Sequence, residues 1–230
     1  MIDQTSRTAV LIVAAGRGRR LGGTIPKQYI PIEGLCALRR TVDLFLSLPQ
    51  INSITTVIHP DDKALYDAAV DGLVDHKLRE PVPGGETRAA SVRNGLTSLD
   101  HMAPDLVLIH DAARPFIAPV IVENTIKALG SHQGACVALP VVDALWRSDG
   151  DLAASSIPRD GLWRAQTPQG FHFAAIRAAH ADHDGTGADD VFVARAAGIP
   201  VAFVLGDEAN YKITTAADLE RAKRDIRQQS

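Results

Sequence analysis

The chain has little cysteine. Cys36 and Cys136 are its only two, far apart and each set among apolar neighbours, so there is no disulfide framework to read and a reduced, cytoplasmic protein is expected. It has no apolar run approaching the length of a membrane span, and Met1 to Thr8 is polar rather than signal-like, so no membrane association is expected. It has no large charge excess: 24 Lys and Arg against 27 Asp and Glu leave a net charge of -3, and no global field favours nucleic acid or anionic lipid. Internal repeats and low-complexity segments are absent. Two familiar phosphate loops are missing as well. The dinucleotide fingerprint needs a third glycine where Leu21 stands, and a Walker A loop needs lysine where Thr24 follows Gly23.

What the chain does have is a glycine-rich stretch near its start. Val10 to Val13 is short and purely apolar, which suits a strand buried on both faces of a parallel sheet. Ala14, Ala15, Gly16 and Gly18 follow with little side chain, so their N–H groups can lie against a phosphate. Arg17, Arg19, Arg20 and Lys27 then place up to four cations around one point. The stretch reads as a triphosphate cradle. A plain βα turn with solvated arginines is the alternative.

At 230 residues the chain fits one α/β domain with a full core. Beyond the cradle, Leu35 to Leu48 has helical spacing, Ile51 to His59 reads as a strand, and Asp61 opens a helix through Val70. Leu78 to Val82 is a brief strand before a second glycine loop, Gly84-Gly85-Glu86, and Thr87 to Leu99 is helical. Asp105 to His110 is a strong strand ending in Asp111-Ala112-Ala113-Arg114-Pro115, followed by a helix at Pro119 to Leu129 and a strand at Ala135 to Leu139. Such alternation predicts a doubly wound, mostly parallel sheet. Between Pro140 and Pro168 the rhythm changes to an extended hairpin arm carrying Trp146 and Trp163. Exposed tryptophans suit a partner surface, so a dimer through the arm is expected ahead of packing on the parent domain. Helices at Phe173 to Ala181 and Asp189 to Ala197, a strand at Val201 to Leu205 and a helix from Ala216 to about Arg227 complete the chain.

Ligands of open α/β sheets sit beyond the carboxyl ends of the strands, and four groups fall there: the cradle, the Gly84 to Arg88 loop, Asp111 to Arg114, and Lys212. Asp111 is a natural carboxylate for magnesium or another divalent cation bridging phosphates, with a turn cap as the alternative. Arg114 could clamp a phosphate or form a surface ion pair. Glu86 and Arg88 could serve a ligand or pair within a first helical turn. His172, His180 and His183, around one helix, lack a matching ligand set and read as solvated surface histidines.

Taken together, Ala14-Ala15-Gly16-x-Gly18-x-Arg20, Pro26-Lys27-Gln28-Tyr29, Gly84-Gly85-Glu86-x-Arg88-x-x-Ser91, His110-Asp111-Ala112-Ala113-Arg114-Pro115, Thr167-Pro168-Gln169 and Lys212-Ile213-Thr214 resemble the 2-C-methyl-D-erythritol 4-phosphate cytidylyltransferases, in order and over nearly the whole chain. The resemblance implies a Rossmann-like nucleotidyltransferase fold as a single domain over residues 1–230, with a protruding β-arm at about 140–166. It implies cytidylyl transfer from CTP to the polyol phosphate, with release of pyrophosphate, by a homodimer using Mg2+. Arg20 and Lys27 would stabilise charge on the reacting phosphates, and Arg159 and Lys212 would hold the acceptor phosphate, with Arg114 assisting from across the dimer. CTP would meet Ala14, Ala15, Gly16, Gly18, Gly85, Glu86, Arg88, Ser91 and Ala112. The acceptor would meet Asp111, Arg114 and Thr167, with Asp111 also the metal ligand.

Three positions depart from the family pattern. Ala144 and Ala188 stand where Thr is expected, and Ala209 where Asp is expected. All three lie on the acceptor or metal side. They keep open a cytidylyltransferase for another polyol phosphate, such as ribitol 5-phosphate, and a non-catalytic nucleotide-binding protein is the alternative of another class. Some members of that family continue into a cyclodiphosphate synthase domain, which these 230 residues do not include.

Overall fold

A computed structural model describes residues 6–17 and 25–229. In chain order the strands and helices are β1 (Thr8–Ala14), β2 (Pro31–Ile32), β3 (Leu35–Cys36), α1 (Ala37–Ser47), β4 (Ile51–Ile58), α2 (Lys63–Val70), β5 (Val82–Pro83), α3 (Arg88–Ser98), β6 (Leu106–Asp111) and α4 (Pro119–Ala128). There follow β7 (Gly134–Pro140), β8 (Leu145–Asp149), β9 (Leu152–Ile157), β10 (Trp163–His172), α5 (Phe173–Asp182), α6 (Asp190–Ala196), β11 (Val201–Leu205) and α7 (Ala216–Gln229).

The apolar run of β1 forms an interior strand, beside central β6, of a seven-stranded sheet in the order β11-β7-β10-β6-β1-β4-β5. Alternation decides which face each residue serves. Val10, Ile12 and Ala14 join one core with α1, α2 and α4, whereas Ala9 and Leu11 join the other with α3, α5 and α6. Both faces of the sheet are therefore covered by helices, as the doubly wound expectation requires.

Strand order places the site. The chain steps outward from β1 through β4 to β5, then returns to the far side of β1 with β6, so its direction reverses between β1 and β6. A crevice opens beyond the carboxyl ends at such a reversal. Register sets Val13 opposite Asp111 and Ala14 opposite Ile58, so the two phosphate-loop candidates and Asp111 leave the sheet at one level.

The segment after Pro140 differs from expectation. β8 and β9 do pair as a separate two-stranded ladder, exposed along nearly all of its length. Trp163, expected on the arm, instead opens β10, which runs antiparallel between β6 and β7 in the main sheet. Pro168 and Gly170 disguise this strand, since both residues are poor in strand interiors. Proline is tolerated because the β10–β7 register shifts between Ala165 and Gln169. Glycine is required because a Cβ at Gly170 would stand 2.9 Å from Leu108 Cδ2 and 3.0 Å from Thr125 Cγ2. The short hairpin β2–β3 was likewise not expected; it makes a seat for α7, whose Ala222 and Ile226 pack with Ile32 and Ile213. Among the described residues no helix is long and apolar enough to cross a membrane.

Candidate active site

A cavity of about 670 Å³ opens beyond β1, β4 and β6. Its wall includes Ala14, Ala15 and Gly16 from the first loop, Gly85, Glu86, Arg88 and Ser91 from the second, Asp111 and Ala112 from the end of β6, and Lys27 and Lys212. Gly18 and Arg20 lie outside the described residues, as does Arg19.

Each loop is held by local chemistry. Gln28, 2 % exposed, donates through Nε2 to the carbonyls of Ala14 (2.5 Å) and Gly16 (3.1 Å), drawing the Lys27–Tyr29 turn under the first loop. The second loop lies close enough to the first that a Cβ at Gly84 would stand 2.5 Å from the Ala15 Cβ. Its N–H bonds Ile58 O at 2.7 Å. Thr87 caps α3 by accepting from the Ala90 N–H at 3.0 Å, and buried Ser91 Oγ accepts from the Gly85 N–H at 3.1 Å. The first turn of α3 thus borders the cavity through Thr87, Arg88 and Ser91, with its positive dipole end on that side.

Arg17 behaves differently from the expected phosphate ligand. Its guanidinium binds Asp62 Oδ1 at 2.7 Å, His59 Nδ1 at 2.7 Å and Asp61 Oδ2 at 2.9 Å. It fastens the first loop to the corner between β4 and α2, so Arg17 lines the cavity as a cation already paired with Asp61 and Asp62.

Asp111 is the electrostatic centre. Its Oδ2 lies 2.7 Å from Lys212 Nζ and 3.8 Å from Arg114 Nε, and its Oδ1 lies 3.7 Å from Arg88 Nε. Burial alone would raise its pKa, but Lys212 and Arg88, with Arg114 behind, hold the carboxyl well below the usual range. The carboxylate is ionised at every physiological pH. Lys212 is brought to it because the Ile213 N–H bonds Ala113 O at 2.9 Å, while Lys27 Nζ donates to Ile213 O at 2.8 Å.

Other expected site residues sit beneath or away from the cavity. Thr167 is 4 % exposed; its hydroxyl accepts from the Asp111 N–H (3.1 Å) and donates to His110 Nδ1 (3.2 Å). His110 Nε2 in turn meets Arg114 O at 3.0 Å. Burial pushes the His110 pKa down to about 4, so the ring is neutral and donates through Nε2. Arg114 Nη1 donates to Asn210 O at 2.7 Å, and the Asn210 amide donates to Thr167 O at 2.9 Å. Arg114 and Thr167 therefore brace Asp111 from behind rather than facing the cavity. Arg159 is exposed and donates to Val142 O at the base of the β8–β9 ladder, away from the cavity wall.

His180 is a further correction. It is fully buried and pairs through Nε2 with buried Asp190 at 3.1 Å, whereas the sequence reading left it solvated. A signal was available: Phe173, Ile176 and His180 share one face at helical spacing. Gln28, Asn210 and Asp190 likewise had no assigned role, because each acts through a partner distant in sequence.

The family model described as IspD: 2-C-methyl-D-erythritol 4-phosphate cytidylyltransferase matches residues 8–228. The chain belongs to this cytidylyltransferase family. A cytidylyltransferase named for the same substrate from Cereibacter sphaeroides is 49 % identical over 217 residues, covering 94 % of this chain and 96 % of its own. The bifunctional enzyme IspD/IspF of Paramagnetospirillum magneticum is 51 % identical over 219 residues, which are 95 % of this chain but only 56 % of that protein. The chain thus spans little more than half of some of the relatives it matches. Among solved structures, 4-diphosphocytidyl-2C-methyl-D-erythritol synthase from Anaerococcus prevotii superposes with a TM-score of 0.83 at 27 % identity, covering 96 % of each chain. The mostly parallel, helix-flanked sheet is therefore the Rossmann-like nucleotidyltransferase fold of the cytidylyltransferases.

Proposed function

We propose that the chain transfers a cytidylyl group from CTP to 2-C-methyl-D-erythritol 4-phosphate, giving 4-diphosphocytidyl-2-C-methyl-D-erythritol and pyrophosphate in isoprenoid precursor synthesis. The observation that carries this reading is the single cavity lined by both glycine loops, Lys27, Asp111 and Lys212. Glycine-rich loops and lysines around one cavity suit a triphosphate, and no nucleophilic side chain is needed. A phosphate monoester has a second pKa of about 6 and is largely dianionic at neutral pH. Its oxygen bonds to the α-phosphorus of CTP as the α–β bridging bond breaks, and that electron pair leaves with pyrophosphate.

The protein's part is alignment and charge. In this reading Ala14, Ala15 and Gly16 cradle the phosphates, Lys27 and Arg20 take up charge developing toward pyrophosphate, and Gly85 and Glu86 read the cytosine amine. Ser91 keeps the second loop open, and Ala112 borders the ribose. Lys212 holds the acceptor phosphate, and Arg159, which stands away from its own chain's cavity, would reach an acceptor only in the cavity of a second copy. A divalent cation such as Mg2+ fits the donor set, since magnesium is commonly held by one carboxylate together with substrate phosphates. Asp111 is the ionised carboxylate that would hold it. Such an ion would supply positive charge that offsets the charge of the phosphates.

The acceptor side supports a homodimer. Trp146 is 60 % and Leu152 74 % exposed on the β8–β9 ladder. Trp163 stacks on Phe203, ring centroids 4.8 Å apart, yet Phe203 remains 51 % exposed on edge strand β11. Covering such a surface with a second copy removes apolar area and an open sheet edge together. Two buried, unbonded cysteines suit the cytoplasm.

The test is pyrophosphate release from CTP and magnesium with a panel of polyol phosphates. The reading expects release with 2-C-methyl-D-erythritol 4-phosphate well above that with ribitol 5-phosphate. Preference for ribitol 5-phosphate would overturn the acceptor assignment, and absence of release with every acceptor in the panel would indicate a binding protein.

A further inference from the structure

A line of hydrogen bonds and ion pairs runs from the back of the fold to the cavity floor. His180 of α5 places Nε2 3.1 Å from Asp190 Oδ1. Asp190, at the start of α6, receives Arg88 Nη2 on its other oxygen at 2.7 Å. Arg88 Nε in turn lies 3.7 Å from Asp111, which pairs with Lys212. His180 and Asp190 are both 0 % exposed.

We propose that His180 is a positioning residue for the nucleotide site: by holding the Asp190 carboxylate it fixes the Arg88 guanidinium beside Asp111. This rests on the reading of the cavity as the CTP site.

The main chain of Asp190 is already secured, because Gln169 Oε1 accepts from the N–H groups of Asp190 (3.0 Å) and Val191 (3.1 Å). What remains to be fixed is the rotation of the carboxylate, and among the described residues His180 is the hydrogen-bond partner of its Oδ1. Without that donor, one oxygen of a buried carboxylate is unsatisfied. The group then turns or takes up a proton, and Arg88 loses its anchor. The His180 backbone is also pinned to the helix that carries Arg88: Arg93 of α3 donates through Nε to His180 O at 2.7 Å and through Nη2 to His183 O at 2.5 Å. The imidazole therefore stands at a fixed distance from α3.

The other ring nitrogen sharpens the case. His180 Nδ1 is buried with no hydrogen-bond partner. A leucine would fill the space without an orphaned nitrogen, so packing gives no reason for a histidine here. The bond to Asp190 does.

The experiment compares His180→Leu, which removes the donor, with His180→Gln, which returns an N–H near the same place. Both are measured for the KM of CTP, the KM of the acceptor, kcat and thermal unfolding without nucleotide. His180→Leu is expected to stay folded, raise the KM of CTP about tenfold, and leave kcat at saturating CTP and the acceptor KM within about threefold. His180→Gln is expected to restore most of the CTP affinity. Should His180→Leu not fold, His180→Asn, whose shorter amide falls short of Asp190, replaces it with the same expectation. A folded donorless variant with the wild-type KM for CTP overturns the inference, as does a variant whose kcat and both KM values worsen together with its folded fraction. If the wild-type chain binds CTP and His180→Leu binds it equally well, this inference alone fails. A wild-type chain that binds no CTP removes the functional reading and this inference with it.

Discussion

Along the rim of β1, β4 and β6, every expected nucleotide contact that the structure describes faces one cavity, from Ala14 to Ala112. Of the expected acceptor contacts, only Asp111 and Lys212 do; Arg114 and Thr167 lie behind Asp111, and Arg159 stands exposed near the β8–β9 ladder. The two sides are built from different material. Parallel strands bring their carboxyl ends to one edge, so the short loops that follow them converge there. The acceptor side hangs on antiparallel β10, on the 207–212 loop and on a ladder with no core of its own. A nucleotide site can therefore be complete within one chain, while the acceptor side leaves tryptophans and a sheet edge for a second surface to cover.

The sharpest break in this comparison comes from Lys27→Ala. It removes a cation from the nucleotide wall, and kcat should fall by about 10²–10³, the usual effect of losing one transition-state donor, with unfolding temperature nearly unchanged. Unaltered turnover would take Lys27 out of the reaction. Next is Asp111→Asn, which strips Arg88, Arg114 and Lys212 of their shared counter-charge. Denaturant unfolding should register a loss of about 3–5 kcal/mol, as for other broken buried pairs, together with loss of response to magnesium.

Bracing from behind gives a pH signature. His110 titrates at about 4 when folded instead of the ordinary 6.5, so between those values the unfolded chain binds the extra proton. Stability is then greatest above pH 6.5 and falls as pH drops toward 4, by about 3 kcal/mol at roughly 1.4 kcal/mol per pH unit. Urea unfolding across this window should show the slope in the wild type and a flatter profile in His110→Asn. An equal slope in both would remove His110 as its source. The smallest effect on chemistry is expected at the outer surface. Trp146→Asp should shift sedimentation toward monomer yet change CTP affinity by no more than about twofold. A large loss of CTP binding would show that the nucleotide side is not self-contained.

The same division governs what could be read from sequence. Val10 to Val13, the helical stretch from Thr87 to Leu99 and the apolar strand before Asp111 are local patterns, so the parallel strands, both glycine loops and the sheet class were legible. β10 was not, because Pro168 and Gly170 look like loop residues until a register shift and a tight contact with Leu108 explain them. Arg17 and Arg114 looked like phosphate ligands, since cationic residues beside a cradle give no hint of the partners they find at Asp61, Asp62 and Asn210. Composition and spacing report which charges are near in sequence, and the fold decides which of them are already paired.

The most direct test of the central claim is a crystal structure of the chain with CTP and magnesium. The account predicts cytosine against Gly85 and Glu86, and the triphosphate between Gly16 and Lys27 with the metal on Asp111. Nucleotide bound elsewhere, or a triphosphate lying away from both Lys27 and Asp111, would contradict it.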